Sequence, residues 1–402
     1  MFKRVRYYIF LKDVFILSVS AFGGPQAHFA MFLDMLVHKR AYLSEEDLIE
    51  LTALCQILPG PTSTQTITAI GYKLGGPNLA YLTLLIWMLP AVTIMTTAGI
   101  VFSNLDEKDM SIEFTRYIQP MAVGFVSYAA LKMGLKVIRT KTALIIMIMS
   151  AVGSFILKSP YLFPLLLLLS GGITGLKYNA QAIEEKDQMK VQWSNFILWA
   201  LVLLSAAFIG ALTKNEPQLL PFRLFENFYR SGSLIFGGGQ VLIPFLYTEF
   251  VQFKGYLSSE EFLSGYALMQ SLPGPVFSFC AYIGSLSMRV FGVGGEIIGG
   301  FVAAFGIFLP GTFLIFFVIR FWEQLKKYRI IKASLEGINA ASTGMVIAAA
   351  FLMMKPLLDI TTENAVLIQN ILIVLGTFGL LNFTKLPSPL IIIGGLIAGF
   401  LL

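Results

Sequence analysis

The sequence predicts an all-α polytopic integral membrane protein built from two inverted-topology repeats, with helices broken at Gly-Gly and Pro-Gly-Pro motifs. Three observations predict it. Hydrophobic residues make up 56% of the 402 residues and charged residues 13%, with mean hydropathy +0.76; a soluble core does not absorb so many apolar segments. A block of motifs recurs at a constant offset. Phe22–Gln26 (FGGPQ) returns as Phe236–Gln240 (FGGGQ), Tyr42–Asp47 (YLSEED) as Tyr256–Glu261 (YLSSEE), and Ala53–Pro61 (ALCQILPGP) as Ala267–Pro275 (ALMQSLPGP). Each lies 214 positions on, with 16 identities over the 40 ungapped positions from Phe22 to Pro61. Finally, the order of acidic and basic loops is exchanged between the two halves.

A helix needs about 20 apolar residues to cross the hydrocarbon core, about 17 at the short end. On that scale there are thirteen hydrophobic segments, the first six near residues 8–37, 46–75, 77–102, 113–138, 142–157 and 160–177. The first holds FGGPQAH (Phe22–His28). Gly-Gly-Pro removes side-chain bulk and one backbone donor, so the helix breaks there, and Pro suits the first turn of the half-helix that follows. That half-helix points free N–H groups and its positive dipole end into the protein. A simple kink or a tight helix crossing is the competing reading of one such motif; its recurrence in the second half favours function.

In the second segment, Ser-Glu-Glu-Asp at Ser44–Asp47 starts a helix that stops before Pro59. A new helix begins at Pro61 with Thr62, Ser63 and Thr64 in its first turn. Unpaired N–H groups plus hydroxyls suit an anion with several oxygens; a structural hairpin without ligand contact is the alternative. Irregular backbone at membrane depth must be buried in protein or line a wet cavity. In the third and fourth segments, Leu89-Pro90 matches Leu309-Pro310 and Gly124 matches Gly344, both at offset 220, so the Gly-rich stretch Met288–Glu296 absorbs six extra residues. The fifth and sixth segments are nearly free of charge. The polar stretch Lys177–Gln192 reads as a linker, followed by an additional helix near 194–213. The second half repeats the series near 222–252, 259–289, 294–319, 333–354, 364–381 and 386–402. The domain reading is a first repeat over 1–177, a linker and additional helix over 178–213, and a second repeat over 214–402.

Loop charges give the orientation. In the first half the loop after the third segment is acidic (Asp106, Glu107, Asp109) and the loop after the fourth is basic (Lys132, Lys136, Arg139, Lys141). In the second half the third loop is basic (Arg320, Lys326, Lys327, Arg329, Lys332), and the fourth carries Asp359 and Glu363 with one Lys355. Lys and Arg mark the cytoplasmic side, so the halves sit upside-down relative to each other, with a cytoplasmic amino terminus. The same rule accounts for the formal charge of +6 without nucleic acid. The basic start MFKRVRYYIF leads into a repeat unit and has no signal-peptide cleavage pattern. Inverted repeats are typical of secondary transporters, whose site lies near the midplane at the repeat interface and whose alternating access rocks one repeat against the other.

The candidate substrate-binding residues are Gly23, Gly24, Gln26, Gln56, Gly60, Thr62, Ser63, Thr64 and Gln65. Those of the second half are Gly237, Gly238, Gly239, Gln240, Gln270, Gly274 and Ser278. Gln26, Gln56, Gln240 and Gln270 are neutral amide donors that bind a dianion without making its release costly; interhelical hydrogen bonding is an equal alternative. His28 and Asp34, replaced by Leu242 and Thr248 in the second half, are the proton-coupling candidates, although Asp34 also fits an interfacial place beside His38, Lys39 and Arg40. Glu46 and Glu260 read as helix-cap residues. Cys55 and Cys280 read as buried free thiols, and neither a metal nor another cofactor is expected.

On the motifs FGGPQAH, QILPGPTSTQ, FGGGQVLIP and QSLPGP, the chain resembles the chromate ion transporter family in its long form with two fused repeats. The resemblance spans essentially the whole chain. It implies an inner-membrane carrier that exports chromate, coupled to the proton gradient, with sulfate as a structural mimic and lipid around it; a homodimer stays open. One rival is a carrier or channel for another small anion. A rival of a different class, a membrane-embedded enzyme acting on a lipid, calls for carboxylate clusters or a nucleophile with a base, and the sequence has two histidines and no HExxH. A structural scaffold leaves the duplicated helix breaks unexplained. No Walker motif is present, so direct ATP drive is not expected.

Overall fold

The computed structural model describes residues 2–22, 24–106, 117–157, 159, 161–176, 192–213, 216–236, 238–322, 329–358, 364–384 and 386–401. No strand occurs among them. Gly23, Gly237, nearly all of the linker, and the loop residues Glu107, Asp109, Lys326, Lys327, Asp359 and Glu363 lie outside the described residues, as do the side chains of Gln26 and Gln240.

In the first half, the first segment is α1 (Phe2–Ser20) and α2 (Gly24–Phe32), followed by a π-helical turn, Leu33–Lys39. The second begins with α3 (Glu45–Ile57), and α4 (Thr62–Asp106) completes it and runs on through the third. Gly75 and Gly76 make a non-helical step inside α4. Then come α5 (Ile118–Val137), α6 (Lys141–Leu157), α7 (Leu162–Leu176) and the additional helix α8 (Ser194–Leu212). The second half repeats the pattern with α9 (Leu220–Leu234), α10 (Gly239–Leu246), a π-helical turn Tyr247–Phe253, and α11 (Ser259–Ser271). A single 3-10 turn, Val276–Ser278, leads into α12 (Phe279–Ser287); α13 (Gly292–Val318), α14 (Arg329–Met354), α15 (Asn364–Phe383) and α16 (Ser388–Leu401) follow. Among the described residues, five helical stretches are long and apolar enough to cross a membrane: Thr62–Asn104, Ser194–Leu212, Arg289–Val318, Ala333–Leu358 and Asn364–Phe383.

Local chemistry sets the helix starts. Ser44 Oγ accepts from Asp47 N–H, and the Asp47 carboxylate accepts from Ser44 N–H, forming a capping box. Ser258 and Glu261, 214 positions on, form the same pair. Each box satisfies N-terminal donors that the helix itself cannot pair. The two π-helical turns also fall 214 positions apart and end alike. Arg40 N–H donates to Met35 O and Tyr42 N–H to Leu36 O; Lys254 N–H donates to Glu249 O and Tyr256 N–H to Phe250 O. The residue between is left-handed in both places, Ala41 at φ +50° and Gly255 at φ +62°.

The chain forms two compact units, each drawn from both halves. The first comprises Met1–Ile100, Glu185–Gly239 and Leu272–Lys327; the second comprises Val101–Glu184, Gln240–Ser271 and Tyr328–Leu402. In the first, an apolar core gathers Phe10, Val14 and Leu17 of α1, Leu48 and Leu51 of α3, Ile67 and Trp87 of α4, and Ile315 and Phe316 of α13. In the second, the fourth segment of each half packs on the fifth of the other. A Cβ on Gly124 of α5 would stand 3.0 Å from the Val374 carbonyl oxygen of α15. One on Gly344 of α14 would stand 2.2 Å from the Met147 carbonyl oxygen of α6. Only glycine permits these approaches, which suits helices associating in lipid through small residues.

Candidate functional site

Two hydrogen bonds in the first unit organise the motif loops. Gly60 N–H, in the first Pro-Gly-Pro, donates to Ile235 O at 2.8 Å; Gly274 N–H, in the second, donates to Ala21 O at 2.8 Å. Donors and acceptors are both 214 positions apart, so each Pro-Gly-Pro turn is pinned to the residue preceding the Gly motif of the other half. The glycines are required by conformation: Gly60 and Gly274 lie at φ +112° and +108°, Gly24 and Gly238 at φ +76° and +81°. Such φ values are open to glycine and strained for other residues. Two helix starts thereby come together with these loops: α2 begins at Gly24 and α4 at Thr62. Their first N–H groups have no intrahelical acceptors and the dipole is positive there, a combination that favours an anion.

The first turn of α4 is polar. Thr62 is half-buried, and Ser63, Thr64 and Gln65 are buried. Thr64 Oγ1 accepts from Trp87 Nε1 at 3.1 Å. Gln65 Nε2 donates to Pro59 O at 2.6 Å, which leaves Gln65 Oε1 buried without a hydrogen-bond partner among the described residues. The matching turn of the second half is apolar at Val276, Phe277 and Phe279; Ser278 is buried in it. The helix start in the first half therefore carries most of the polar side chains.

His28, one turn into α2, is fully buried. Its Nε2 lies 3.2 Å from Ala21 O, the same carbonyl that receives Gly274 N–H. A carbonyl only accepts, so Nε2 carries a hydrogen; Nδ1 has no partner among the described residues. Trp87 stands edge-on to the imidazole at 5.4 Å. The other sequence candidates fall elsewhere. Asp34 is on the first π-helical turn, 60% exposed, with Lys39 Nζ 2.7 Å away. Gln56 is exposed. Gln270 belongs to the second unit, where its Nε2 donates to Tyr266 Oη at 2.8 Å. Cys55 and Cys280 are buried and unpaired with each other.

Sequence reasoning passed over Asp13. Its side chain, on α1, is 0% exposed. Arg40 Nη2 donates to Oδ1 at 2.9 Å, Arg40 Nε lies 2.9 Å from Oδ2, and Tyr42 Oη donates to Oδ2 at 2.8 Å. Hydrogen bonding to Asp13 and its charge raise the Arg40 guanidinium above its ordinary range. Burial, then the Asp13 bond, push the Tyr42 phenol up. The missed signal was an acid inside an apolar run; extending the repeat upstream at offset 214 sets it opposite Asn227. Position 230 was missed for the same reason: Arg230, on α9, pairs with Glu226 at 2.7 Å and reaches Asn227 Oδ1.

Five apolar helical stretches of membrane-spanning length among the described residues mark a multi-pass membrane protein, and the family it matches is one of membrane transporters. The chain belongs to the chromate transporter family, whose model matches residues 9–176 and again 222–400. It is 27% identical to a probable chromate transport protein of Synechococcus elongatus over 95% of this chain and 92% of that one. It is 25% identical to a chromate transport protein of Cupriavidus metallidurans, over 95% and 90%. An uncharacterized transporter of Methanocaldococcus jannaschii is 25% identical over 96% and 92%. No solved structure matches the chain.

Proposed function

We propose that the protein is a secondary active transporter that exports chromate, or a sulfate-like oxyanion of the same shape, across the inner membrane, coupled to the proton gradient. Its two repeats are inverted, its helices are broken at the motifs, and its amino terminus is cytoplasmic. The observation that carries the reading is the reciprocal pair of hydrogen bonds, Gly60 N–H to Ile235 O and Gly274 N–H to Ala21 O, which sets the helix starts at Gly24 and Thr62 beside the motif turns. The anion is held there by backbone N–H groups near Gly24 and Gly238 and by Thr62, Ser63 and Thr64, while the Gly60 and Gly274 N–H groups fix the turns. A helix N-terminus favours an anion by about 0.3–1 kcal/mol, and up to about 2 when partly buried. Several such neutral donors hold a dianion without trapping it.

Export of a dianion from a negative interior gains about 2.3 kcal/mol per charge per 100 mV, and proton exchange adds to that drive. Of the coupling candidates from sequence, His28 is buried and Asp34 is exposed beside Lys39. The test is expression in a chromate-sensitive bacterium. Accumulation of chromate falls, excess sulfate competes, and His28→Ala changes the pH dependence of flux more than the apparent anion affinity. Unaltered accumulation in cells that contain the protein in their membranes rejects the substrate. Neutral donors suit other small oxyanions too, so molybdate and phosphate belong in the competition series.

A further inference from the structure

We propose that Asp13 is a proton-binding site of the transporter, and that Arg40 passes its state to the helix carrying the first Gly motif. The inference rests on the transport reading above, but it concerns a residue outside the anion site.

The first argument is unequal burial of the ion pair. The Asp13 side chain is 0% exposed and that of Arg40 is 46% exposed. The acid has nowhere to go, whereas the guanidinium can swing into water on a long side chain. A buried carboxylate that loses its cation is left uncompensated, which is strongly unfavourable, and taking up a proton removes the charge. The pocket has an acceptor for that proton. Tyr42 Oη, 2.8 Å from Oδ2, donates to the carboxylate now, and a phenol oxygen also accepts. One proton from water therefore forms one O–H bond on Oδ2, the Tyr42 hydroxyl turns to accept it, and Arg40 leaves as a hydrated cation.

The second argument comes from the other half of the chain. Positions 10, 13, 14 and 17 of α1 with Ala21 just after it, and positions 224, 227, 228 and 231 of α9 with Ile235 just after it, are all buried, so the two helices present the same face at offset 214. Where α1 has Asp13, α9 has Asn227, 2% exposed. Asparagine has the shape of a neutral aspartic acid and no charge. The fold thus already holds an uncharged group at this place in one half. Only the first half carries a group that changes charge there. Lys254, at the position of Arg40, is 3.4 Å from Glu249, a partner on its own π-helical turn.

Among the described residues, few charged or titratable groups face Asp13. Arg40 and Tyr42 come from the loop after the π-helical turn, and Arg6 of α1 stands 6.0 Å over the Tyr42 ring. On α3 and α4, which pack on this face, Asp47 and Lys73 neutralise each other at 2.5 Å, and Tyr72 Oη accepts from Arg320. Arg40 is also the residue whose N–H closes the π-helical turn on Met35 O. That turn continues α2, whose first residue is Gly24. Release of Arg40 frees the far end of the element whose near end is the Gly motif.

The test uses the full chain, purified and reconstituted in vesicles, with chromate as the probe. Chromate flux and melting temperature are followed from pH 5 to pH 8 in the parent, Asp13→Asn, Arg40→Gln and Tyr42→Phe. The proposal expects a pH dependence in the parent, a component of it lost from both readouts in Asp13→Asn beyond any that His28 contributes, and continued flux in that variant. Arg40→Gln removes the cation that opposes protonation, so its flux profile moves to higher pH by about one unit or more. Tyr42→Phe keeps the dependence with a displaced midpoint. A parent without pH dependence overturns the proposal, as does an Asp13→Asn variant that keeps the parental profile, since a purely structural ion pair changes stability alone. If Asp13→Asn does not fold, an unmoved Arg40→Gln profile overturns it. Absent chromate flux in a parent whose melting profile still differs from that of Asp13→Asn rejects the chromate reading and leaves the proton site standing.

Discussion

At the scale of single residues, the repeat is tightest where a backbone conformation is required. Ala41 holds the left-handed conformation that Gly255 holds in the other half. Left-handed backbone costs a residue with a Cβ about 1–2 kcal/mol, and glycine returns part of that gain through its greater freedom in the unfolded chain. Ala41→Gly is therefore expected to stabilise the protein by about 0.5–1 kcal/mol and Gly255→Ala to destabilise it by about 1 kcal/mol, read as opposite shifts of melting temperature in detergent. Shifts of the same sign for both would show that the two loops are not conformational equals. Arg40 and Tyr42, the immediate neighbours of Ala41, are both anchored on Asp13.

At the scale of elements, the Gly motifs separate strain from crowding. Among the described residues, no atom lies within 4 Å of a Cβ built on Gly24 or on Gly238, yet both glycines have positive φ. Gly24→Leu or Gly238→Leu is expected to cost about 1–2 kcal/mol of local strain and to leave a membrane-inserted protein. The added side chain would stand in the open space that the proposed anion needs. Chromate export should fall at least tenfold at unchanged membrane content, and parental export by both variants would place the site elsewhere. Gly274 is different: a Cβ there would be 2.7 Å from Ala91 Cβ, so its replacement damages packing as well. Most of the element boundaries were legible in the sequence because they follow from local chemistry. The capping residues Ser44 and Ser258 and the prolines at 59, 61, 273 and 275 act on their own neighbours. The π-helical turns were not legible: Leu33–Lys39 and Tyr247–Phe253 share only Val37 with Val251, and their geometry is common to both halves while their side chains are not.

At the scale of the whole molecule, the exchanged loop charges make a claim about topology. With inverted repeats, cysteines at Lys136 and Lys327 label from the cytoplasmic side, and cysteines at Glu107 and Glu363 label from outside. Labelling of positions 107 and 327 from the same side would reject the inversion. The sequence by itself determined the membrane class, the duplication and the polar first turn of α4, because hydropathy and capping act over a few residues. Only the tertiary structure decided what the motif glycines bond to and which acid is buried with a cation. Gly60 N–H finds Ile235 O, Gly274 N–H finds Ala21 O, and Asp13 finds Arg40 and Tyr42. These partners are far apart along the chain, and a hydrogen bond between distant positions depends on how helices pack, which short-range patterns do not encode.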